Sequence, residues 1–247
     1  MKRIIPFTTL VFAVLLSFTA VNVHAAYKDG LVLVRKGSWA KAIVEFEKLA
    51  ATNHAQSQFS LGLIYHLGRG VPPDLERAYN LYKVSAMQDH PPAVNNLGMM
   101  YLNGEHVVQN RFIAFKLFEK ASGAHTQAKD NLGQCFENGW GVEVDIEQAK
   151  NFYQLAGEEG YKLAYYHLGQ LHEEGRGGAK VDIEEAVKWY QIAGEDNYAR
   201  GFYRIGKIYE EGLGGMKIDI DKAVFWYQQA SDLDYGPATV KVRKLRQ

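Results

Sequence analysis

Ser38 and Lys41 stand three residues apart, the Ser-x-x-Lys spacing that places a hydroxyl nucleophile beside an amine on one helical turn. In serine β-lactamases that pair works with two companions, Ser-Asp-Asn and Lys-Thr-Gly, and neither string occurs in the 247 residues. Ser38 also stands where a helix cap is needed, so its expected role is structural. The histidines include no His-Glu-x-x-His and no Glu-x-x-His string. His167 and His172, five apart on a helix, are turned about 140° from each other and are not expected to share a metal. His172 is expected in the packed face. Cys135, the single thiol, is expected to be a buried free cysteine. Glu173, Glu174, Glu210 and Glu211 fall at equivalent places on two helices. Carboxylates in a closed pocket could serve acid–base chemistry, but in this setting the row reads as a solvated edge. No catalytic residue, metal ligand set or cofactor is expected, and the chain is read as no enzyme.

Composition narrows the remaining classes. Lys and Arg number 28 against 28 Asp and Glu, so the surplus cation needed to neutralise many phosphates is missing and no nucleic-acid partner is expected. One cysteine excludes an internal disulfide framework and any zinc site built on two thiolates. With 47% hydrophobic and 13% aromatic residues, the chain has ample apolar surface for a core.

The first 25 residues have the layout of a secretory signal peptide: Lys2 and Arg3, an apolar run over 10–18, and small residues at Val23 and Ala25. Cleavage after Ala25 would leave a mature chain from Ala26 that has lost two basic and no acidic residues, for a net charge near −2. A periplasmic or secreted protein with no membrane span after cleavage is expected.

What positions the remaining side chains is a repeat. Leu61-Gly62, Leu97-Gly98, Leu132-Gly133, Leu168-Gly169 and Ile205-Gly206 recur at intervals of 36, 35, 36 and 37 residues. Ala78, Ala114, Ala149, Ala186 and Ala223 recur at 36, 35, 37 and 37. A small residue four before each Leu or Ile and a ring three after each Gly complete one helical stripe, and a further Gly (Gly68, Gly104, Gly139, Gly175, Gly212) supplies the left-handed stop. This is helix A. Asp74, Asn110, Asp145, Asp182 and Asp219 then cap helix B, whose large residues Tyr82, Phe118, Tyr153, Tyr190 and Tyr227 lie four after the Ala. The five mid-helix glycines would together cost about 5 kcal/mol as accidents, so each is expected to admit a neighbouring helix closer than a Cβ allows.

A worn unit precedes these, with Ala26, Leu31, Val34 and Gly37 on helix A, Ser38 as cap, Ala42, and Phe46 at the ring position. The expected organisation is a leader over 1–25, a degenerate repeat over 26–54, repeats over 55–92, 93–127, 128–163, 164–200 and 201–235, and a basic capping helix over 236–247.

The pattern small-x3-Leu-Gly-x2-Tyr-x2-Gly-x-Gly-Val followed by Asp-x3-Ala-x2-Trp/Tyr-Tyr resembles the Sel1-like repeat, a relative about 36 residues long of the 34-residue tetratricopeptide repeat. Gly68-Arg69-Gly70-Val71 and Gly139-Trp140-Gly141-Val142 carry the resemblance most clearly, while Gly104-Glu105-His106-Val107 departs from it and predicts a different turn. The resemblance implies an all-α, right-handed superhelical solenoid of antiparallel helix pairs that works as an interaction scaffold with a concave binding face.

On helix A, the flank away from the Leu61–Tyr65–Gly68 stripe forms three ladders. They read Ser60, Asn96, Asn131, His167, Arg204; then Leu63, Met99, Gln134, Gln170, Lys207; then Leu67, Asn103, Asn138, Glu174, Glu211. Amides both donate and accept, which suits the main chain of an extended peptide, and Leu63, Leu67 and Met99 could hold an apolar side chain. These fifteen residues are the expected partner site of a monomeric scaffold for a protein or extended peptide. An exported cell-wall hydrolase and a self-associating structural element are the other classes compatible with an exported repeat chain.

Overall fold

The computed structural model describes residues 22–176 and 180–247. Residues 1–21 of the expected leader lie outside the described residues, as does the Gly177-Gly178 loop insertion; residues 22–25 belong to the first described helix. The chain forms two compact units, one ending at Gln109 and one beginning at Asn110. The N-terminal unit contains α1 (22–35), α2 (Trp39–Ala51), α3 (Ala55–Leu67), α4 (Leu75–Ala86) and α5 (Pro91–Asn103). The C-terminal unit contains α6 (Arg111–Ser122), α7 (Thr126–Asn138), α8 (Ile146–Glu158), α9 (Leu163–Glu174), α10 (Ile183–Glu195), α11 (Arg200–Glu211), α12 (Ile220–Asp232) and α13 (Gly236–Leu245). Within each unit every helix packs on its chain neighbours, and no strand occurs among the described residues. The fold is therefore the all-α stack of helix pairs that the repeat predicts.

The ends of the A helices and the starts of the B helices are built as the spacing requires. Gly68, Gly104, Gly139, Gly175 and Gly212 close them in the left-handed conformation, with φ between 59 and 73°. Asp74, Asn110, Asp145, Asp182 and Asp219 each accept a hydrogen bond from the backbone N–H three residues on, at Arg77, Ile113, Gln148, Glu185 and Lys222. Four of the intervening loops are fastened by one more bond, from the cap residue's own N–H to the carbonyl of Tyr65, Phe136, His172 or Tyr209. The loop residues Gly214 and Gly215 both lie in a 3₁₀ turn, Leu213–Gly215.

Four of the mid-helix glycines, Gly62, Gly133, Gly169 and Gly206, admit tyrosine rings. A Cβ on Gly62 would stand 2.8 Å from the Tyr82 ring, and one on Gly133 2.6 Å from that of Tyr153. Tyr82, Tyr153, Tyr190 and Tyr227 are in consequence fully buried, as are Ala78, Ala149, Ala186 and Ala223 beneath them. Each ring takes on the order of 200 Å² out of water, about 5 kcal/mol at 25 cal/mol per Å², which outweighs the helix-propensity cost of one Gly.

Three expectations need correction. Ser38 occupies the cap position of α2, but its side chain makes no capping bond. In the worn repeat the ring of Phe46 is met by Gly30, where a Cβ would approach to 2.5 Å, a residue absent from the expected helix A pattern of Ala26, Leu31, Val34 and Gly37. The connection from Gly37 to Ser38 lacks the long glycine loop of the later repeats, which displaces Gly30 from their register. The turn at Gly104-Glu105-His106 keeps the common shape: His106 takes φ 62°, close to the 73° of Gly70. Its ring pays for that conformation by tilting against Tyr79, with centroids 5.5 Å apart.

Candidate partner-binding site

In the N-terminal unit two clefts adjoin at Leu63 and Leu67, successive outward residues of α3. The first, about 160 Å³, is apolar and lined by Leu31, Val34, Trp39, Phe46 and Ile64 with Ser60 and Arg69 at its edge. A hydrocarbon cavity of ~150 Å³ accepts a benzene-sized group, so the cleft can take one leucine or phenylalanine side chain. The second, about 240 Å³, is lined by His66, Asn96, Met99, Asn103 and Glu105. Leu67 is 52% exposed and Leu63 36%, on a helix whose other apolar residues Leu61 and Ile64 are 4% exposed. Two large apolar side chains thus form an open wall with a greasy floor on one side and amides on the other.

The polar side of that wall is anchored from below. Tyr82 is buried, and its hydroxyl lies 3.4 Å from His66 Nδ1. Burial pushes the Tyr82 hydroxyl up to about 12; a hydrogen bond with Asn96 works against the rise and the negative charge of Glu105 adds to it. Asn103 Nδ2 donates to Glu105 Oε1 at 3.0 Å. His66 Nε2 lies 3.1 Å from Glu105 Oε2, yet out of line for a hydrogen bond, so that buried oxygen has no donor.

The C-terminal unit uses the equivalent positions differently. Asp130, 1% exposed, accepts from Gln134 Nε2 at 2.9 Å and lies 2.7 Å from His167 Nδ1. Arg204 binds Glu173 through two hydrogen bonds, and Tyr190 donates to the same carboxylate at 2.7 Å. Lys241 of α13 repeats this with Glu210, which also accepts from Tyr227. Arg176 reaches both Glu137 and Glu174, and Glu137 accepts from Tyr153. Each buried tyrosine hydroxyl here therefore ends on a glutamate of its own repeat, and each glutamate on a cation of the next.

The fifteen expected residues thus sort by position. Ser60, Leu63, Leu67, Asn96, Met99 and Asn103 line the two clefts of the N-terminal unit. In the C-terminal unit Asn131 is buried, His167 and Arg204 are tied to Asp130 and Glu173, and Gln134 is tied to Asp130. Asn138 donates to the Gln134 carbonyl, Lys207 and Glu211 form a 3.4 Å pair, Glu174 pairs with Arg176, and Gln170 is half-buried. The first ladder is turned toward the preceding repeat because it lies only about 100° from the centre of the core stripe, whereas the Leu63 ladder lies about 160° away. The acidic row also needs correction as a solvated edge: the side chain of Glu173 is 7% and that of Glu210 19% exposed, and only Glu174 and Glu211 face water.

The residues with chemical potential elsewhere are structural in placement. Cys135 is fully buried, and burial pushes its thiol up to about 12. His172 is half-buried, and burial lowers its pKa. Among the described residues no group of three or more His, Cys, Asp or Glu is arranged to hold a metal ion, and no helix is long and apolar enough to cross a membrane. Glu105, His66 and Trp39 were not anticipated from the repeat pattern, and Leu31 was expected on helix A but not at the site. The one available signal was Glu105-His106 in place of the usual x-Gly.

Comparison with known proteins gives a consistent picture. The Sel1 repeat profile matches residues 55–90, 91–124, 126–161, 162–198 and 203–235. The chain is 30% identical over 176 residues to DAP3-binding cell death enhancer 1 of Mus musculus, covering 56% of this chain and 34% of that protein. It is 32% identical over 122 residues to chitin synthase regulator SKT5 of Malassezia restricta, covering 48% of this chain and 8% of that one. The chain therefore spans about a third of the length of the first of these relatives and less than a tenth of the second. A crystal structure of a Sel1 repeat protein from Oxalobacter formigenes superposes with TM-score 0.73 at 28% identity, covering 89% of this chain and 97% of that one.

Proposed function

This chain belongs to the Sel1 repeat family, and on that premise we propose that it is a non-enzymatic scaffold that captures an extended segment of a partner protein. The observation that carries this reading is the pair of adjoining clefts at Leu63 and Leu67, one apolar and one lined by amides. The name of the mouse relative states that it binds another protein, which fits a role in protein contact.

Magnitudes set what the clefts must do. One buried apolar side chain contributes about 1.5–3 kcal/mol, whereas micromolar binding requires about 8. The apolar cleft alone would hold a partner weakly, so the amides Asn96 and Asn103 must bind its main chain as well. Capture by the immobilised chain Ala26–Gln247, with bound proteins identified by mass spectrometry, tests the proposal. Leu67→Asp should abolish capture and leave the melting temperature within a few degrees, because the side chain is already half in water. Capture that survives Leu63→Asp and Leu67→Asp together would refute the assignment.

The working location we propose is the periplasm or the cell exterior, on the strength of the leader pattern at 1–25. Amino-terminal sequencing of the protein recovered from that fraction should begin at Ala26. Recovery from the cytoplasm with Met1 intact would contradict it.

A further inference from the structure

The position between the two glycines of the A-to-B loop is occupied in successive repeats by Arg69, Glu105, Trp140, Arg176 and Leu213, so one repeat alone places an acid there. Glu105 is held by left-handed residues on both sides, Gly104 at φ 73° and His106 at φ 62°, and lines the amide cleft beside the Leu63–Leu67 wall. Its carboxylate meets the neutral donor Asn103 and an imidazole out of hydrogen-bond line, and its side chain is 32% exposed. A carboxylate whose neighbours in a partly enclosed cleft are an amide and an imidazole, charged only when protonated, has no permanent counter-charge, and a ligand cation would supply one. Arg69 lines only the apolar cleft, where its charge opposes a second cation.

We propose that the paired clefts select a partner segment in which an apolar side chain is accompanied, within a few residues, by a lysine or arginine whose cation sits against Glu105. This rests on the clefts being the partner site, and it names the chemistry they would recognise. The apolar side chain fills the space under Leu31, Val34 and Phe46, and Asn96 and Asn103 hold the main chain between the two anchors.

The test uses the chain Ala26–Gln247 and capped, fluorescein-labelled Gly/Ser peptides carrying one Leu, Phe or Ala and, one to four residues away, Lys, norleucine or Glu. Fluorescence polarisation should show Lys favoured over norleucine by about tenfold in the Leu and Phe series at the best spacing. Glu105→Gln should bring Lys and norleucine within twofold of each other while the preference for Leu or Phe over Ala persists. Glu105→Arg should transfer the preference to Glu. A preference for Leu or Phe with no difference between Lys and norleucine in the parent chain overturns this inference and leaves the scaffold proposal standing. No binding, or binding that ignores the apolar residue and survives Leu67→Asp, overturns both.

Discussion

Arg204 of α11 clasps Glu173 of α9 with Nε to Oε2 at 2.8 Å and Nη2 to Oε1 at 2.6 Å, tying one repeat to the next. Because Glu173 is 7% exposed and also accepts from Tyr190, removing the guanidinium strands a buried carboxylate. Arg204→Ala should cost about 2 kcal/mol, read as a lower urea midpoint. Lys207→Ala, which breaks a 3.4 Å pair within one exposed turn, should cost under about 0.5 kcal/mol. Equal effects of the two would show that the inter-repeat pair adds nothing beyond a surface contact.

The homologous pair at the last repeat predicts a pH dependence. Burial works to raise the Glu210 carboxyl, but hydrogen bonds from Lys241 and Tyr227 outweigh it and hold the group below the ordinary carboxylate range. A depressed folded-state pKa contributes stability above the unfolded value, about 4.3, and loses it as pH falls through the folded value. Thermal melts should therefore show Lys241→Met below the parent chain near pH 7, with the gap closing as pH drops beneath about 4. A gap that is constant across that range would remove the pair as its source.

Much of this was legible because a repeat states each structural demand five times. The Leu-Gly pairs, cap residues and stop glycines are local features, and each is found where its spacing placed it. Gly30 escaped because the shorter Gly37–Ser38 connection shifts it against every other mid-helix glycine. Asp130 and Glu173 escaped for another reason: periodicity locates the apolar stripe, but a second, polar seam toward the preceding repeat has no hydrophobic signature. The same limit hid the role of Arg204, whose residue type suits a solvated flank as well as a buried clasp. In the candidate site the apolar wall could be read, because Leu63 and Leu67 are conspicuous on a polar face. Glu105 left only the broken x-Gly step as a signal, since it lies on a loop and reaches the cleft through backbone conformation.

The close approach at the mid-helix glycines can be separated from helix propensity. Alanine at an unconstrained helical glycine gains up to about 1 kcal/mol. At Gly133 the new Cβ would stand 2.6 Å from Cδ1 of Tyr153, a fully buried ring that cannot retreat into water. Overpacking of that kind costs about 1–3 kcal/mol, so Gly133→Ala should destabilise by about 1 kcal/mol or more in chemical denaturation. Gly123→Ala is the control: its φ is −62°, no atom lies within 4 Å of the new Cβ, and it should be neutral or stabilising. Two variants that move stability in the same direction would break the link between these glycines and the tyrosine rings.

Capping offers a comparison between two residues of equal position and unequal engagement. Asp145 accepts the Gln148 N–H at 3.0 Å, and loss of such a cap costs about 1 kcal/mol. Ser38 stands at the start of α2 with φ −82° and ψ 58°, away from the extended conformation of the Asp caps, and its hydroxyl makes no capping bond. Asp145→Ala should therefore lower the denaturation midpoint measurably, while Ser38→Ala should leave it within about 0.3 kcal/mol of the parent, since no hydrogen bond is lost. A loss of stability at Ser38 comparable with that at Asp145 would mean that its hydroxyl does cap α2 in solution.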